Sequence, residues 1–123
     1  MKKWGKISVV GIPTKIVEAT PEEIENPDVL GEHEYSSYDP DTSTITLNSS
    51  LTEPDMKCFY VVHEALHAGI EHSGLVVALQ ERFELSDQEA SELEEQIVTA
   101  LTPAVHGAHK DFTKVFARFR RGR

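Results

Sequence analysis

The chain of 123 residues has one cysteine, one tryptophan, two methionines and no long apolar run. Cys58 has no second thiol to pair with, so an internal disulfide is excluded and nothing asks for an oxidising compartment. The richest apolar stretch, Cys58 to Ile70, is interrupted by His63, Glu64 and His67, well short of the ~20 apolar residues of a membrane span. Met1 to Lys6 is basic like the start of a signal peptide, but the apolar segment after it stops at Pro13. These features together lead us to expect a cytoplasmic protein. Repeats and low-complexity tracts are lacking too, and this length is natural for a single domain spanning 1–123.

Positive charge is scarce as well. Twelve Lys and Arg stand against 21 Asp and Glu, a net charge of −9, which argues against strong nucleic-acid binding. The two signs are separated along the chain. All acids but Asp111 lie between Glu18 and Glu95, whereas Lys110, Lys114, Arg118, Arg120, Arg121 and Arg123 crowd the last turns.

What is present falls into a strand-rich start and a helical remainder. Lys6–Val10 and Lys15–Glu18 are short β-branched runs split by Gly11 and Pro13, and 42–48 alternates Ile45 and Leu47 with polar residues. Residues 20–41 carry turn chemistry. The reading so far is an antiparallel or mixed sheet of about three strands. From 55 to 73 a dense apolar helix follows, closed by Ser73-Gly74 and expected to be buried on most sides. Ser86-Asp87-Gln88-Glu89 is a capping box opening a second helix that runs to Pro103, with Ala90, Leu93, Ile97 and Leu101 as its stripe. A third helix, about 104–120, sets Phe112, Val115, Phe116 and Phe119 on a side expected to pack on the core, with Lys114, Arg118 and Arg121 outside. The fold class is therefore α+β.

The chemistry sits in His63-Glu64-Ala65-Leu66-His67, an H-E-x-x-H motif. On a helix its histidines lie four residues and about 40° apart, so two imidazoles can share one ion. Zn²⁺ accepts neutral imidazole nitrogen, and Glu64, one step round the helix, can reach a metal-bound water as general base. A third ligand is needed. His72 points about 160° away from the midpoint of the pair and cannot supply it on a continuous helix. Among the glutamates of the second helix, Glu94 shares a face with Ala90, Ile97 and Val98, while Glu95 lies at the margin. Cys58 is off the ligand face and is expected as a packed core thiol.

His63 to His67, followed by Glu94-Glu95-Gln96-Ile97-Val98 and Ala100-Leu101-Thr102-Pro103, resembles the small zincin-like metallopeptidases of phages and mobile elements, a minimal gluzincin arrangement. The resemblance covers about residues 42–112. It implies a zincin-like metallopeptidase domain holding zinc on His63, His67 and Glu94, with Glu64 as base and a peptide or protein as substrate. His109-Lys110-Asp111-Phe112 is similar to the third-ligand segment of SprT-like proteases, which offers His109 or His106 instead. The rival reading is a non-catalytic, zinc-containing binding module that acts through its acidic surface and basic C-terminal helix.

Overall fold

The computed structural model describes residues 1–20, 22–23 and 35–122. The part of the expected turn-rich connection that falls on 21 and 24–34 lies outside the described residues. Four strands and three helices follow in order: β1 (Lys2–Val9), β2 (Ile12–Ala19), β3 (Ser36–Asp39), β4 (Thr44–Asn48), α1 (Pro54–Ser73), α2 (Leu75–Phe83) and α3 (Asp87–Arg120). The α+β class is as expected. The sheet has four strands rather than about three, because β3, masked in sequence by polar Ser36-Ser37 and the following Asp39-Pro40-Asp41, pairs with β4.

The sheet order is β1-β2-β4-β3. β1 and β2 form an antiparallel hairpin, β2 runs parallel to β4, and β4 is antiparallel to β3. Val10 and Gly11, at φ 50° and 77°, make the two-residue turn between β1 and β2, both in the left-handed conformation, whose turn follows the right-handed twist of the hairpin. Glycine suits that conformation, whereas β-branched Val10 is strained in it. Because Val10 is 61% exposed, replacing it removes no core packing. Val10→Asn is expected to stabilise the fold by about 1 kcal/mol, read as a rise in melting temperature.

Alternation along β2 and β4 turns Thr14, Ile16, Glu18, Ile45 and Leu47 to one face, and α1 lies across it. Ile45 and Leu47 are almost completely buried there. Glu18 would be a liability on that face, but Lys57 of α1 reaches it at 2.6 Å and Trp4 Nε1 donates to it at 3.1 Å. Burial of α1 itself is less complete than its composition suggested: Glu64, Ala68 and Ile70 are buried, and most of its other apolar positions are half-buried. Cys58 is exposed, which corrects its expected place in the core.

Helix α1 ends where expected, at Gly74 in the left-handed conformation. Residues 75–83, for which the sequence pattern predicted no element, form α2, which ends at Glu84 with φ 52°. Ser86 caps α3 as predicted, its hydroxyl accepting from Glu89 N–H at 3.1 Å while the Glu89 carboxylate accepts from Ser86 N–H at 3.0 Å.

The two helices expected on either side of Pro103 are a single helix of 34 residues. Proline removes one N–H from the ladder and crowds the carbonyl four residues back, yet leaves the remaining bonds intact. Helix α3 buries Ala90, Val98 and Thr102 and half-buries Leu93, Glu94 and Ile97, so of the expected stripe only Leu101, 46% exposed, lies outside. Beyond Thr102, His106 still meets Asp55 and Phe59 of α1, and His109 is the last residue of α3 to border a groove with the sheet. Phe112, Val115, Phe116 and Phe119 do not pack on the core and are 44–70% exposed. The phenyl rings contact one another instead, Phe112 on Phe116 at 6.0 Å and Phe116 on Phe119 at 6.4 Å between centroids. Among the described residues no helix is long and apolar enough to cross a membrane.

Candidate metal centre

His63, Glu64 and His67 occupy one face of α1, roofed by β3 on one side and by the first half of α3 on the other. Each offers a ligand atom, and these atoms lie within 4.8 Å of one another. The cleft above them has a volume of about 600 Å³. Tyr35, Ser36 and Tyr38 form its strand wall, Tyr60 and Glu71 continue the helix floor, and Glu94 and Glu95 close it from α3.

Carboxylates flank His67 on both sides: Glu94 Oε2 lies 2.8 Å from its Nδ1 and Glu95 Oε2 lies 3.1 Å from its Nε2. At His63 the partner of Nδ1 is Thr102 Oγ1 at 3.4 Å. The single hydroxyl proton of Thr102 is committed to the Val98 carbonyl at 2.6 Å, so Thr102 accepts and His63 Nδ1 donates. The Nε2 atoms of both rings face the Glu95 carboxylate. Burial, reinforced by neighbouring His67 and opposed by Glu95, holds the His63 pKa below its ordinary value and keeps the ring neutral, the form a metal accepts.

Glu95 approaches the pair from α3. Its Oε1 is 3.5 Å from His63 Nε2 and its Oε2 is 3.1 Å from His67 Nε2. That side chain is 58% exposed, and the group whose ligand atoms lie within 4.8 Å of one another is His63, Glu64 and His67. Glu94, expected as the third ligand, is placed on the far nitrogen of His67 and orients that ring. Glu64 is 5% exposed at the cleft floor, where its Oε2 accepts from Ser36 Oγ at 3.2 Å.

The other candidate donors are not brought to this cleft. His106 Nε2 lies 3.3 Å from Asp55 at the opposite end of α1, and both His106 and His109 border a separate apolar groove with Trp4, Ile16 and Val62. His72 is 2.5 Å from the Tyr38 hydroxyl and ties β3 to the last turn of α1.

Sequence reasoning did not find Thr102, Ser36 or the approach of exposed Glu95 to both Nε2 atoms. Thr102 had a usable signal: Ala90, Glu94, Val98 and Thr102 repeat every four residues. Ser36 had none, since its role depends on how β3 pairs.

Compared with protein-family models, with curated proteins and with solved structures, the chain matches none at the level that would identify a relative.

Proposed function

We propose that the chain is a zinc-dependent hydrolase, most plainly a peptidase of zincin type, with His63, His67 and Glu95 holding one Zn²⁺ and Glu64 acting as general base. The observation that carries this reading is the cluster of His63, Glu64 and His67, whose ligand atoms lie within 4.8 Å of one another at the floor of a cleft that Glu94 and Glu95 close. Zinc, when bound, supplies a Lewis acid that polarises a carbonyl and makes a nearby water acidic.

The remaining work falls to the protein. Glu64, held at the floor by Ser36, accepts the water proton on one carboxylate oxygen and delivers it to the departing amine nitrogen. Glu94 and Thr102 keep the two imidazoles from rotating, so the donor set is organised before anything binds. The three tyrosines and β3 give the cleft a wall along which an extended chain can lie.

The test is metal analysis of protein purified without added zinc, followed by incubation with an unbiased peptide library. One zinc per chain and cleavage lost on chelation are expected. Wild type that holds zinc but cuts no peptide would sink the enzyme reading and leave the zinc-containing binding module.

A further inference from the structure

The exposed side of the second half of α3 carries a spacing that its packing within the chain does not use. Leu101, Val105, Ala108, Phe112, Val115 and Phe119 alternate steps of four and three residues, which is the 3.5-residue period of a helix seam made for another helix. Five of these six are 40–70% exposed. The first half of α3 buries a stripe rotated away from this one, against α1, so the seam is available.

We propose that this seam pairs with the same seam of a second copy, antiparallel, making the protein a two-fold dimer through the ends of α3. Charge selects the occupant and the register. In an antiparallel pair with Phe112 opposite the partner's Val115, Phe119 falls opposite the partner's Ala108, so each large side chain meets a smaller one. Asp111, the one acid in the basic tail, then flanks the seam beside the partner's Arg118, and the two-fold axis repeats that ion pair. Sliding one heptad either way sets Asp111 against the partner's Asp111 or Arg118 against the partner's Arg118. A parallel pair would stack Phe112 and Phe119 on their own copies, leave facing alanines at 108, and align two basic tails.

In this register the two helices overlap over residues 107–120. With about 200 Å² for a large apolar side chain, the exposed fractions of Phe112, Val115, Phe116 and Phe119 amount to roughly 430 Å² per chain. Both copies together then reach about 860 Å², the size of a weak, concentration-dependent pairing.

The experiment is sedimentation velocity on the full chain over a concentration series, with far-UV circular dichroism as the fold control. A dimer is expected for wild type and a monomer of unchanged helicity for Phe112→Glu combined with Phe119→Glu, since both rings are exposed within one chain. Asp111→Arg alone should weaken the dimer about tenfold, and adding Arg118→Asp should restore it. A wild type that stays monomeric, a dimer that survives the double phenylalanine variant, or a charge swap that restores nothing each overturns the proposal. So does a mass gain seen only with phosphatidylserine vesicles or duplex DNA.

Discussion

Glu64→Gln is expected to bind zinc as wild type does, melt at nearly the same temperature, and lose about 10²–10⁴-fold in peptide hydrolysis. The amide is nearly isosteric with the carboxylate and can still meet Ser36 Oγ through its carbonyl oxygen. What it cannot do is take up a proton. Retention of zinc therefore separates a failure of proton transfer from a failure of the site, and metal content and rate should be measured on the same preparation. A variant with wild-type turnover would show that Glu64 is merely a buried carboxylate.

The second large effect concerns the adjacent glutamates. Glu95→Gln should lower zinc affinity more than Glu94→Gln, because the first removes a charged ligand while the second removes an orienting partner, typically worth 10–100-fold. Competition with a chromophoric chelator reads both constants. The reverse order would restore Glu94 as ligand and assign Glu95 to the rim. Loss of zinc confined to His109→Ala would instead require α3 to bring its second half to the cleft, against its present position beside the apolar groove.

How far the sequence reached can be judged at these same residues. The H-E-x-x-H spacing placed His63, Glu64 and His67 on one helix face without further information, since helix geometry alone sets that relation. Choosing between Glu94 and Glu95 required the rotation of α3 about its own axis, and adjacent helical positions differ by about 100°. Of the stripe read as Ala90, Leu93, Ile97 and Leu101, the first three are buried or half-buried, but the most deeply buried positions are Val98 and Thr102, because apolar residues occur on both sides of this helix and only tertiary contact settles which side is covered. Pro103 was a reasonable stop by propensity, but proline only disfavours a continuing helix and does not forbid it. β3 was hidden for a different reason. Its Ser36-Ser37-Tyr38-Asp39 has little strand propensity, and its pairing with β4 and contact with α1 outweigh that.

The proline inside α3 divides that helix into two units of unequal stability. Amides before it belong to the half that packs on α1, so their exchange with solvent should require opening of much of the fold. Amides in the turns after it belong to a half with few buried contacts, and the missing N–H at 103 lets that half unwind without pulling on Val98 or Thr102. Hydrogen exchange should therefore fall into two classes with a step near residue 103, the slow class including the turn that holds Thr102 against His63. The contact between Thr102 and His63 should then persist while the far end of the helix opens and closes.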